Sequence, residues 1–182
     1  MKSMKWLAVA VAVASGVAIP SAMGSALVTK GSSEIAVAGM LDFATFQGFE
    51  TDLNAKYAYF FWDRIALGAR GMVYDNDAVT HLGMGLTGEY NFNLPESVRP
   101  LFGTDLVPFI GLTVDYRHAD LFDETESAII FGAETGVKFF LTDSTAVSLS
   151  LVGELATEDV YEDDLEATDK NLDLEIGMHF YF

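Results

Sequence analysis

The chain contains no cysteine. Disulfide stapling, thiolate metal sites, cysteine nucleophiles and anchoring through a lipidated N-terminal cysteine are therefore excluded. Proline is scarce, with 4 residues, and no Pro- or Ser-rich stretch reads as a linker. Basic residues are also few: 10 Lys and Arg stand against 27 Asp and Glu, for a formal net charge of −17 at pH 7. Neutralising phosphates takes clustered Lys and Arg, so nucleic acid is not an expected partner. After the first 26 residues no apolar run approaches the roughly 18 that a membrane-spanning helix needs.

The N-terminus has the layout of an export signal. Lys2 and Lys5 precede an apolar run from Trp6 to Ile19, Pro20 breaks it, and the small residues Gly24 and Ala26 follow. The run, about 14 residues, is short of the roughly 20 needed to cross a bilayer. The competing reading, a retained amphipathic or transmembrane helix, conflicts with charge, length and exit residues alike. We expect a cleaved signal peptide over 1–26 and one domain over 27–182, since the remaining composition is uniform.

Past the signal the recurring period is two, which predicts strands with two unlike faces. Ile35, Val37, Gly39, Leu41 and Phe43 alternate with Glu34, Ala36, Ala38, Met40 and Asp42. Leu53, Ala55, Tyr57, Tyr59 and Phe61 alternate with Asn54, Lys56, Ala58 and Phe60. The same rhythm recurs around Leu67, Leu86, Leu112, Val137, Leu149 and Ile176, making eight segments. Segments of about 10–13 residues suit tilted strands crossing a membrane, and an even count puts both termini on one side. The predicted fold is all-β: an eight-stranded antiparallel transmembrane β-barrel, an up-and-down meander. A soluble β-sandwich is the alternative; it would use shorter strands and turn its rings to a shared core.

The connections alternate in length. Trp62–Asp63 and Thr142–Ser144 read as tight periplasmic turns, whereas His118–Ser127 and Ala156–Lys170 read as long, acidic outer loops. Leu94–Asp105, with Pro95 and Pro100, is a longer connection on the periplasmic side to which no role is assigned. Aromatic residues gather at the same ends: Tyr57, Tyr59, Phe60, Phe61 and Trp62, then Tyr90 and Phe92, Phe139 and Phe140, and Phe180, Tyr181 and Phe182. Amphipathic rings favour the headgroup level, so these predict half of an interfacial girdle.

Residues 131–155, FGAETGVKFFLTDSTAVSLSLVGEL, with the core GVKFFLTD, and the closing MHFYF carry a resemblance. They resemble the penultimate hairpin and the C-terminal signal of small outer-membrane barrels of the outer-membrane protein A and opacity-protein type. The resemblance implies a location in the bacterial outer membrane, among lipid and lipopolysaccharide. It also implies that Met178, Phe180 and Phe182, outward on the last strand, form a signal read by the barrel-assembly machinery, with periplasmic chaperones as transient partners. It implies no single activity, because members include adhesins, anchors, small pores and lipid-modifying enzymes.

The face opposite the lipid holds Glu50, Asp52, Lys56, Arg64, Arg70, Glu89, Asp115, Arg117, Glu134, Lys138, Glu154, Asp173, Glu175 and His179. An eight-stranded barrel has an interior just wide enough for side chains to fill, so these charges should pair and plug the lumen. A narrow ion or small-solute channel through the network is the alternative. An enzyme acting on lipid acyl chains has little support. His179 and Glu175 share a face but sit about 13 Å apart along one strand, and His81 and His118 have no serine two residues away. The acidic loops lack the glycine and alternating acids of an EF-hand. Asp159, Glu162, Asp163 and Asp164 remain weak candidates for a loosely held divalent cation bridging to lipopolysaccharide phosphates. No other cofactor is expected.

Overall fold

The computed structural model describes residues 27–45, 48–75, 79–93, 105–121, 124–158, 160–163 and 166–182. Side chains within 40–52, 75–81, 119–126 and 162–167, and that of Asp105, are outside this description. The strands are β1 (Ser33–Thr45), β2 (Gly48–Trp62), β3 (Ile65–Asp75), β4 (Val79–Asn91), β5 (Asp105–Leu121), β6 (Glu124–Thr142), β7 (Thr145–Ala156), β8 (Tyr161–Asp163), β9 (Glu166–Thr168) and β10 (Lys170–Tyr181). Eight of them form a closed antiparallel barrel in the order β1-β10-β7-β6-β5-β4-β3-β2, and β8 and β9 form a separate two-stranded hairpin. The chain is thus an eight-stranded transmembrane β-barrel, each strand paired with its sequence neighbours and β10 closing on β1.

Alternation decides which residues meet lipid. Met84, Leu86, Leu112 and Leu172 are 67–69% exposed, and Leu82, Leu174 and Ile176 also face outward. Water would not tolerate such a wall, whereas acyl chains solvate it. The inward positions of the same strands are small, aromatic or charged and are mostly buried. The β2–β3 turn is tight, with Arg64 at φ 69°, and the turn residue Asp63 accepts a 2.9 Å bond from the Lys30 amide.

Three expectations change. His118–Ser127 is not a long loop: β5 and β6 stay paired from Asp105↔Phe140 to Leu121↔Glu124, with β4 alongside β5 as far as Val79↔Leu121. Within Ala156–Lys170 the chain forms the extra hairpin, with Tyr161↔Thr168 to Asp163↔Glu166 in register. Of the predicted girdle, Tyr57, Tyr59, Phe61, Trp62, Tyr90, Phe92 and Phe182 are exposed, but Phe60, Phe140 and Tyr181 are buried inside. The physical reason is strand parity: each of these three sits one residue out of phase with the lipid-facing positions. Residues 1–26 and the 94–104 connection, on which two expectations fall, lie outside the described residues.

Candidate functional site

The periplasmic end of the lumen has an apolar floor. Phe60, Phe140 and Tyr181 pack there with Ala58, Ala66, Val107, Ala146 and Val28. Val28 arrives because the segment before β1 folds under the barrel: the Gly31 amide donates to the Phe60 carbonyl and the Arg64 amide to the Val28 carbonyl, both at 2.9 Å. Apolar contact and backbone bonding together cork this end.

A square of charges lies on the floor. Lys56 Nζ is 2.9 Å from Glu34 Oε1 and 2.7 Å from Glu89 Oε2. Lys138 Nζ is 3.1 Å from Glu34 Oε2 and pairs with Glu89 as well. Two cations and two anions thus alternate around a ring with no net charge. Lys138 is fully buried and also sits 4.9 Å from the Phe109 ring centroid and 5.7 Å from that of Tyr181, a cation–π geometry. Such closure is what buried charge requires, since an unpaired ion at this depth would be very costly.

A second balanced layer lies above. Arg70 forks onto Asp115, its Nε 2.8 Å from Oδ1, and its Nη2 reaches Glu154 at 3.0 Å. Arg117 Nη2 bonds Glu154 Oε2 at 3.0 Å and its Nε lies 3.2 Å from Met72 sulfur. The outer hairpin folds down onto this layer. Tyr161 donates its hydroxyl to Glu154 at 2.7 Å, and the Arg117 guanidinium carbon lies 5.1 Å from its ring centroid. Burial and the adjacent Glu154 carboxylate push the Tyr161 hydroxyl well up, so it remains a proton donor at neutral pH. Val160, fully buried, packs on Ala128 and Ile130 beside it. Among the described residues the lumen is therefore covered above by this hairpin as well as below by the apolar floor.

The structure brings together Lys56, Glu89, Lys138 and His179 in the lower layer and Arg70, Asp115, Arg117 and Glu154 in the upper one. Glu175 is buried and accepts from Asn54 Nδ2 at 2.8 Å; Asp173 is half-buried and bonded by Asn171. Glu134 is half-buried against Gly111. Arg64 corrects the reading, since it caps the periplasmic rim with bonds to the Phe92 carbonyl and Asn93 Oδ1, both 3.1 Å. It lies at the turn, where alternation no longer assigns a face. The side chains of Glu50, Asp52, Glu162 and Asp163 are outside the described residues, as are Asp159 and Asp164 altogether. Met178 and Phe180 are half-buried and Phe182 is 65% exposed, all on the outer side of β10.

Sequence reasoning missed Glu34, Ser148 and Tyr161. Glu34 was visible as the phase partner of Ile35; Tyr161, in a loop by periodicity, had no signal. His179 does not work with Glu175 along its own strand. Its Nδ1 is 2.9 Å from Glu34 Oε1 on β1 and its Nε2 is 2.8 Å from Ser148 Oγ on β7. Hydroxyl, imidazole and carboxylate thus follow the order of an acyl-transfer triad. The surroundings oppose that chemistry. Ser148 is 3% exposed, and a Cβ placed on Gly177 would lie 2.7 Å from its Oγ, so strand β10 leaves no room for a substrate carbonyl. Glu34 is moreover engaged by both lysines. What the constellation does is tie β1, β7 and β10 together across the closing seam.

No protein-family model and no curated protein sequence matches the chain. Its fold does match solved barrels. The N-terminal β-barrel domain of Pseudomonas aeruginosa OprF aligns with a TM-score of 0.60 at 17% identity, covering 84% of this chain and 98% of that one. Neisserial surface protein A aligns at 0.53 and 16% identity, covering 84% and 98%. At these identities the likeness concerns the fold, and the fold of this chain is that of the small eight-stranded outer-membrane barrels.

Proposed function

We propose that this chain resides in the bacterial outer membrane as a plugged structural barrel whose outer hairpins carry surface interactions. The observation supporting this is the filled lumen: two charge-balanced layers between an apolar floor and the Tyr161 hairpin. Eight buried charges with their partners in place leave a network that resists ion entry, because a passing ion would have to displace one of them. Planar-bilayer recording tests this. The protein refolded from its mature chain should show no discrete conductance steps; regular steps altered by Lys138→Met would support the channel reading instead.

The role is non-enzymatic in this proposal, supported by the enclosed Ser148. Mass analysis of lipid A from expressing cells should show no change. Residues 1–26 are the cleaved export signal, and Met178, Phe180 and Phe182 present the assembly signal to the barrel-assembly machinery after transit with periplasmic chaperones. Deleting Phe182 should lower the folded, heat-modifiable fraction in cells while leaving refolding in detergent intact. Outside, the loop carboxylates, among them Asp159 and Asp164, take divalent cations that bridge to lipopolysaccharide phosphates. Calcium at low ionic strength should then raise the thermal unfolding temperature, and an unchanged temperature would refute that bridge.

A further inference from the structure

The hairpin of β8 and β9 is its own two-stranded sheet and not an extension of the barrel. Its base is fixed: the Ala156 amide donates to the Asp169 carbonyl at 2.7 Å, and the Thr157 amide to the Ile129 carbonyl at 3.0 Å. Two adjacent side chains then seat it on the barrel. Val160 is fully buried against Ala128 and Ile130, and Tyr161 gives its hydroxyl to Glu154 and its ring face to Arg117.

The barrel strands build this seat without help from the hairpin. β6 supplies the apolar notch of Ala128 and Ile130, β5 the guanidinium of Arg117 and β7 the carboxylate of Glu154. Arg117 and Glu154 are held by each other at 3.0 Å, Glu154 also by Arg70 at 3.0 Å, and Arg117 also by the Met72 sulfur at 3.2 Å. An aliphatic notch, a flat cation and an ionised acceptor side by side suit an aliphatic residue followed by a tyrosine.

The segment that fills the seat is poorly matched to itself in charge. From Glu158 to Asp169 seven of the twelve residues are Asp or Glu, and none is Lys or Arg. Its strands have three residues each, too short to hold a lone hairpin together in water. Closure therefore rests on Val160 and Tyr161. A segment that offers the same two side chains between basic neighbours keeps their contacts and replaces repulsion by attraction.

Resting on the reading that the outer hairpins carry surface interactions, we propose that Val160 and Tyr161 are a tethered stand-in for an external ligand. The seat takes a segment of another protein in which an aliphatic residue precedes a tyrosine, flanked by Lys or Arg. Tyrosine is required over phenylalanine because Glu154 would otherwise lose a donor in a buried place. The tether keeps the hairpin at high effective concentration, so the ligand binds only by displacing it.

The probe is a fluorescently labelled peptide, Lys-Lys-Val-Tyr-Lys-Lys, titrated by anisotropy onto the mature protein in phosphatidylcholine nanodiscs, whose zwitterionic lipid does not itself gather basic peptides. Tyr161→Ala removes the competitor and should bind the probe at least about tenfold more tightly than the unaltered barrel. Tyr161→Phe keeps the ring over Arg117 but loses the bond to Glu154, and should fall between. On Tyr161→Ala, Lys-Lys-Val-Phe-Lys-Lys should bind about tenfold more weakly than the probe, and Glu-Glu-Val-Tyr-Glu-Glu more weakly still. Heat-modifiable migration on a gel checks the fold of each variant, and if Tyr161→Ala does not fold, Tyr161→Phe against the unaltered barrel carries the comparison. Equal affinity for the tyrosine and phenylalanine peptides, equal affinity of variant and unaltered barrels, or no binding to either overturns the seat and leaves the plugged barrel standing. Discrete conductance steps from the unaltered protein would overturn that underlying reading, and the seat with it.

Discussion

Replacing Lys138 with Met keeps the length and apolar stem of the side chain and removes only the ammonium. In the native barrel that ammonium neutralises Glu34 at 3.1 Å and Glu89 from the other side, over the Phe109 and Tyr181 rings. Its loss leaves two buried carboxylates sharing Lys56 alone, an excess charge of −1 in a space walled by Phe60, Tyr181 and the upper ion layer. Breaking a buried pair in this way costs about 3–5 kcal/mol. With denaturant slopes of about 1–3 kcal/mol per molar urea, the unfolding midpoint in lipid vesicles should fall by roughly 1–5 M. The companion variant Glu89→Gln restores balance, because Lys56 then faces Glu34 alone and the amide oxygen still accepts from Asn91. The double variant should therefore be more stable than the sum of the single losses implies, by about 1–3 kcal/mol. Losses that add within about 0.5 kcal/mol would show that the four charges do not act as one ring.

Arg70→Ala should cost about 3–5 kcal/mol in the same titration by stranding Asp115, and Arg70→Lys should recover only part of that, since an ammonium cannot fork onto one carboxylate. Tyr161→Phe keeps the ring against Arg117 but removes the bond to Glu154. A hydrogen bond to a charged acceptor is worth about 1.5–3 kcal/mol, so cleavage of the outer hairpin by a glutamate-specific protease should accelerate about tenfold or more, with the urea midpoint moving little. Gly177→Ala should destabilise by about 1–3 kcal/mol, because its methyl would meet Ser148 Oγ at 2.7 Å and His179 Nε2 at 3.2 Å; pairing it with Ser148→Gly should relieve most of the loss.

The barrel was legible because period-two alternation is a local property. Ile35 against Glu34, or Leu174 against Asp173, states which face each residue takes without reference to any other strand. Where alternation fails as a guide, the reading failed with it. Arg64 follows a positive-φ turn geometry rather than a strand, and Tyr161 belongs to a three-residue strand too short to show a period. Phe60, Phe140 and Tyr181 were placed by residue type, as interfacial aromatics, although their phase already assigned them to the lumen.

Sequence alone thus determined the class of fold and the sidedness of most positions, because both follow from spacing along one strand and from what acyl chains and water each tolerate. Only the tertiary structure decided the partners. Shear carries each strand past its neighbour, so Lys138 meets Glu34 across the barrel and His179 meets Ser148 from the next strand. Only the closed arrangement revealed that β10 returns to pair with β1, from Glu34↔Tyr181 to Gly39↔Ile176, since that depends on how the last strand meets the first.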